Sequence, residues 1–424
     1  MGAQRSGLGR RAFLRLSAAA TLSLMDSGTD AQPGPGAGRQ TTNTASPAPR
    51  ARLPAFKLFL CGDVMTGRGI DQVLPHPGDA RLYEPYISDA RGYVQLAERA
   101  NGAIARPVDF GYIWGDALAV LAQAMPDARI INLETAVTRS DEYWPGKGIN
   151  YRMNPDNIAC LSAAHIDCCV LANNHVLDWG YSGFADTLRT LQAAGLSTAG
   201  AGRNRQQAEA PAIIEVAGKG RVMVFAFGAT SSGIPRAWAA TRTRPGINLL
   251  PDFSPATVRH IADQVAAVKR PGDIAVASIH WGGNWGYSIP DQHRSFAHRL
   301  IDTAGIDLIH GHSSHHPRGM EVYRDKLIIY GCGDFLNDYE GIHGYEEFRG
   351  DLALMYLAEL EPRSGRLAGL EMVPLQMRQF SLHHASDRDA RWLAETLQRE
   401  GAALDTRVER RGDNVLVLGE RCKS

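Results

Sequence analysis

The feature that most constrains this chain is a junction repeated along it: a short apolar run that ends at once in a carboxylate, an amide or an imidazole. Residues 57–61 lead into Gly62-Asp63, residues 128–133 into Glu134, and residues 168–172 into Asn173-Asn174-His175. Residues 274–279 lead into His280, and Leu308-Ile309 into a segment holding His312 and His315. Runs without apolar–polar alternation read as strands buried on both faces. Between them lie stretches of helical periodicity, at 117–125, 155–164, 182–194, 255–268 and 291–304. Strands alternating with helices predict an α/β fold, a central sheet covered on both sides by helices.

Further strands are expected at 221–227 and 326–330, and a hairpin at 352–360 and 367–375. Ser386-Asp387-Arg388-Asp389 reads as a capping box opening a helix, and 414–418 as a last strand. These divide the folded part into a main domain, 55–380, and a helix–strand extension packed on it, 381–424. Arg10-Arg11-Ala12-Phe13-Leu14 is similar to a bacterial twin-arginine address within a signal segment, 1–26. Residues 27–54, rich in Gly, Pro, Ala and Thr, read as a disordered linker. The expected location is therefore the periplasm or cell envelope, with no integral membrane domain apart from an uncleaved signal. Formal net charge is zero, so no global charge argues for a nucleic acid partner. Adjacent Cys168 and Cys169, and the apolar settings of Cys61 and Cys332, point to buried free thiols.

Loops at strand carboxyl ends converge on a crevice in α/β sheets, so polar groups far apart in sequence can meet there. Each residue alone has a modest structural explanation, as a turn cap, an ion pair or a satisfied core group. Together, oxygen donors from Asp63, Glu134 and Asn174 and nitrogen donors from His280, His312 and His315 suit one or two divalent ions of Mn, Fe or Zn. An all-oxygen set would instead suit magnesium or calcium.

Gly62-Asp63-Val64-Met65 with Arg68, Asn132-Leu133-Glu134, Ala172-Asn173-Asn174-His175 with Asp178 and Gly180, His280-Trp281-Gly282, and Gly311-His312-Ser313-Ser314-His315 stand in one order along residues 57–339. This ordered set resembles the CapA-like family, named for capsule and poly-gamma-glutamate synthesis. The resemblance implies the fold of the calcineurin-like metallophosphoesterases, a layered β-sheet core flanked by helices. It implies that Asp63, Asn174, His280, His312 and His315 ligate metal, that Glu134 takes a bridging position, and that His175 donates a proton. The chain departs from ordinary metallophosphoesterases in having Asp63-Val64-Met65 for Asp-x-His, and two residues between His312 and His315 instead of one.

The expected activity is hydrolysis by metal-activated water at a phosphoester or polymer linkage. Arg68 would bind a phosphate or carboxylate group or else stand as a surface or ion-pair arginine, Asp178 would orient His175 or serve a helix N-terminus, and residues 281–287 would line a groove unless they pack on the sheet. Asp334 and Asp338 would support the histidines or bind substrate amines. Expected partners are a capsule or gamma-glutamyl polymer, or a small phosphoester. The rival expectation is a nonenzymatic envelope protein that binds or guides an anionic capsule polymer.

Overall fold

The computed structural model describes residues 54–419. The expected signal segment, 1–26, and all of the linker before Pro54 lie outside the described residues. Two β-sheets pack face to face, and helices cover both outer surfaces. The larger sheet orders its strands Val408–Arg410, Leu416–Leu418, Leu367–Arg378, Leu352–Leu360, Phe56–Val64, Ala128–Leu133, Cys168–Val170 and Ser197–Ala199. Asp334–Leu336 pairs with Phe56–Val64, and Ser381–His384 with Leu367–Arg378. The smaller sheet runs Met320–Tyr323, Lys326–Ile329, Leu308–His312, Ile274–His280, Gly220–Gly228 and Ala212–Val216.

The single covered sheet read from the strand pattern is thus corrected to two, a layered core of the kind that the family resemblance implied. The reason lies in the strands themselves, which are apolar on both faces. Phe56, Leu58 and Leu60 meet Val222, Val224, Val276 and Ile329 in the core between the sheets. Phe59 and Cys61 point the other way, to a cluster that includes Val94, Leu121 and Phe184 of three covering helices. On the far side, Met223, Phe225 and Phe227 pack with Val258, Ile261, Phe296 and Leu300 of Pro255–Val268 and Asp291–Ala304. Full burial of each such side chain contributes about 1.5–3 kcal/mol, and both faces of each central strand share in it. Sequence pattern alone cannot say which neighbour covers which face.

The helix Asp387–Gly401 is capped by Ser386, whose side chain accepts a hydrogen bond from the Asp389 backbone N–H. Its Leu393 and Leu397 close one edge of the inter-sheet core. Among the described residues no helix is long and apolar enough to cross a membrane. Cys61, Cys160, Cys168, Cys169 and Cys332 are buried free thiols.

Parallel pairing sets up the site. Gly220–Gly228, Ile274–His280, Leu308–His312 and Lys326–Ile329 run parallel, with His280 in register with His312. In the larger sheet Asp63 is in register with Asn132 on one side and with Asp334 on the other. The polar strand ends of both sheets therefore emerge together.

Candidate metal centre

Asp63 ends the strand Phe56–Val64 and is fully buried. Its approach to Asp334 depends on Gly62. A Cβ on that residue would sit 1.6 Å from the Gly333 carbonyl oxygen, beside the bond from Asp63 N–H to the same oxygen. Gly62→Ala should cost about 3 kcal/mol of stability through overpacking against backbone. Denaturant titration checks this, and an unchanged midpoint would refute the close approach.

Two sets of donor atoms form around Asp63. Asp63, His280 and His312 make one; Asp63, His315 and Asp334 make the other, with the atoms of each set within 4.8 Å of one another. Asp63 belongs to both. The Nδ1 atoms of His280 and His312 lie 2.8 Å apart, and His280 Nε2 is 2.8 Å from Asn174 Oδ1. Glu134 Oε1 is 3.8 Å from both His280 Nε2 and His175 Nε2. Asn132 Nδ2 donates to Asp63 Oδ1 at 2.7 Å and to Glu134 Oε2 at 2.9 Å. Ser313 N–H donates to Asp63 Oδ2 at 3.2 Å from a residue held at φ 101°. Such strain marks a backbone bent to serve a side chain.

The donor chemistry fits a divalent cation. Burial, then the neighbouring Asp334, raises the pKa of Asp63 to about 7. Burial and the charge of Asp63 likewise push Glu134 upward. Crowded buried carboxylates of this kind are stabilised by a cation among them. Burial pushes His280 and His312 well below the usual imidazole range, leaving neutral rings with a lone pair to offer. His315 is opposed by burial, yet Asp334, 2.9 Å from its Nδ1, outweighs that and raises it.

His175 stands at the edge of this group. Its Nδ1 is 2.6 Å from Asp178 Oδ2 and 2.9 Å from Lys147 Nζ, so Nε2 is left facing Glu134. Asp178 also accepts from the Tyr151 N–H and pairs with Lys147. Burial lowers the His175 pKa to about 4.

Arg68 departs from its expected anion-binding role. Its guanidinium is buried, bonds both Glu84 and Asp338, and lies 3.8 Å from the Tyr93 ring centroid. The planar fork that would receive a substrate anion is occupied by the protein's own carboxylates, so Arg68 ties the loops together. It forms part of the wall of a cavity of about 880 Å3 that also reaches His315, Tyr339, Trp285 and Tyr345. Of the aromatic loop, Trp285 lines this cavity, stacked on Tyr345 at 4.2 Å. Trp281 is instead buried, stacked on His293.

Three contributors went unassigned or under-assigned in the sequence. Asn132, in the strand Ala128–Leu133, precedes Glu134 by two residues, the spacing that puts extended side chains on one side; that signal was available. Asp334, expected to support a histidine, also completes the second donor set. Lys147 lies between Gly146 and Gly148 in a loop with no pattern to reveal it.

Two stacked sheets whose strand ends bury an Asp–His–Asn constellation beside an open cavity define a candidate metal-binding α/β protein. Residues 57–339 match the family described as "Bacterial capsule synthesis protein PGA_cap", and the chain belongs to that family. It is 50% identical over 360 residues to the "Probable polyglutamine synthesis accessory protein" of Mycobacterium tuberculosis, covering 85% of this chain and 94% of that one. It is similar at 23% identity to the "Capsule biosynthesis protein CapA" of Bacillus anthracis, over 81% of this chain and 72% of the other. For the "PGA biosynthesis protein CapA" of Bacillus subtilis the figures are 25%, 69% and 68%.

Proposed function

We propose that this protein is a metal-dependent hydrolase of the calcineurin-like kind, acting at the cell envelope on a linkage in a capsule or gamma-glutamyl polymer, or on a phosphoester. The observation that carries the reading is the pair of donor sets sharing Asp63, one of whose members, His315, lines a cavity of about 880 Å3. Asp63, His280, His312, His315 and Asp334, with Asn174 and Glu134 alongside, would hold one or two ions of Mn, Fe or Zn. Such ions supply a water activated for attack and charge stabilisation for the entering and leaving oxygens.

The chain's own residues do the rest. Asn132 holds the Asp63 and Glu134 carboxylates in fixed relation. Asp178 and Lys147 fix the His175 ring at Nδ1, so that Nε2 faces the centre and can pass a proton to a leaving group. Trp285, Tyr339 and Tyr345 give the cavity an aromatic wall for the substrate chain. Export through the twin-arginine segment is part of the proposal and places the activity outside the cytoplasm.

The test is elemental analysis of the signal-free protein, followed by a panel of phosphoesters, gamma-glutamyl oligomers and cell-wall fragments. Stoichiometric transition metal and metal-dependent turnover of one class are expected. Metal-loaded protein that turns over none of them would remove the hydrolase reading.

A second reading, polymer binding without turnover, is favoured by a separate surface. Arg203, Arg205, Arg236, Arg242 and Arg244 are exposed, and none pairs with a carboxylate among the described residues. Their two segments are joined by pairing of Ala201–Gly202 with Gly246–Ile247. Tight, salt-sensitive binding of an anionic polymer by a protein inactive on the whole panel would select this reading.

A further inference from the structure

The ring of His312 meets the candidate centre with Nδ1, and what lies behind its other nitrogen is unusual. Ser278 Oγ is 2.9 Å from His312 Nε2 and 3.0 Å from His310 Nδ1. His310 Nε2 is in turn 2.8 Å from the carbonyl oxygen of Cys61. All three side chains are fully buried, and the row crosses from the smaller sheet to the strand that ends in Asp63.

The protons in this row can be placed by elimination. A carbonyl oxygen only accepts, so His310 carries a proton on Nε2. His310 is buried with a carbonyl and a hydroxyl as its partners and no carboxylate, so its ring is neutral and Nδ1 is a bare acceptor. The Ser278 hydroxyl must then donate to His310. Having one proton, it has only a lone pair left for His312, whose Nε2 must therefore donate. His312 is left with a bare Nδ1, aimed at His280 and 3.8 Å from Asp63 Oδ1.

We infer that Ser278 and His310 are positioning residues that hold His312 in the one tautomer able to ligate metal, with the Cys61 carbonyl as the anchor. The inference rests on His312 being a metal ligand and adds residues that stand outside both donor sets. A neutral imidazole ligates through whichever nitrogen lacks the proton, and the partner of the other nitrogen decides which that is. Without the hydroxyl, the proton is free to move to Nδ1 and block the site.

The test uses the full chain. Zinc and manganese affinity is measured by calorimetry for wild type, Ser278→Ala, His310→Leu and His310→Gln. The His312 tautomer is read by nitrogen-15 NMR on the metal-free protein. Ser278→Ala and His310→Leu should weaken metal binding about 10–100-fold, the usual effect of losing a ligand's hydrogen-bond partner. His310→Gln should stay near wild type, since an amide offers an N–H to Cys61 and an oxygen to Ser278. The Nδ1 signal of His312 should be of the unprotonated kind in wild type and become mixed in Ser278→Ala. An unchanged His312 tautomer in Ser278→Ala, or wild-type affinity in His310→Leu, would overturn the inference. Wild type that binds neither metal would sink the metal-centre reading, while the tautomer measurement would still decide the proton row.

Discussion

Asp63→Asn yields a protein that keeps its fold and loses divalent metal from both donor sets at once. No other residue is common to the two, so His312→Ala and Asp334→Asn should each weaken one set and leave part of the metal in place. Loss of a ligand's outer partner commonly costs 10–100-fold, so removal of the shared ligand itself should cost activity at least about 100-fold. The metal-free state gives an independent reading. Burial and then Asp334 raise the Asp63 pKa to about 7 from its ordinary 3.8. A carboxyl whose folded pKa is raised binds its proton more tightly folded than unfolded. Its contribution to stability is therefore lost as pH climbs from about 4 through about 7. Metal-free Asp63→Asn should accordingly melt several degrees above metal-free wild type near pH 8, with the gap closing toward about pH 5. Metal analysis and melting curves across that range check both halves. Equal pH dependence in the two proteins would show that Asp63 is not held among like charges.

His175→Ala should separate chemistry from metal binding. His175 lies in neither donor set, so metal content should match wild type while turnover falls about 10²–10⁴-fold, the range for loss of a positioned proton donor. Lys147→Met and Asp178→Asn act through the same ring nitrogen and should reproduce a smaller part of that loss with metal retained. Burial, only partly opposed by Asp178, lowers His175 to about 4, so the imidazolium that would donate is a minor species at neutral pH. Single-turnover kinetics on whichever substrate the panel yields gives the comparison. If His175→Ala loses metal in step with activity, the residue belongs inside the coordination set.

The site is more legible in the sequence than the fold around it. Strand ends announce themselves because an apolar run stops at a charged or imidazole side chain, and Asp63, Glu134, Asn174, His280, His312 and His315 were all visible in that way. Strand register aligns His280 with His312, and Asp63, His315, Asn174 and Glu134 lie close by. Sheet membership was not visible. Residues 58–61 and 222–227 are both apolar throughout, and nothing in either says that they face one another across a core instead of pairing edge to edge. Lys147 was hidden for another reason: its role depends on where a glycine-flanked loop folds back, and loops carry no periodicity. For Arg68 the sequence left two roles open, anion binding and ion pairing, because its partners are not its neighbours in the chain. Glu84 and Asp338, which occupy it, are 16 and 270 residues away.

The strand that supplies Asp63 lies in the interior of its sheet, between Ala128–Leu133 and Leu352–Leu360. During synthesis its inner edge would wait for a neighbour until some three hundred further residues had left the ribosome, since Phe56 pairs with Leu360. Until then that edge is a row of unpaired backbone N–H and C=O groups open to pairing with another chain. Assembly of the candidate metal centre is in this sense a late event in the life of the nascent chain, and truncation before Leu352 should leave an aggregating fragment instead of a smaller folded domain.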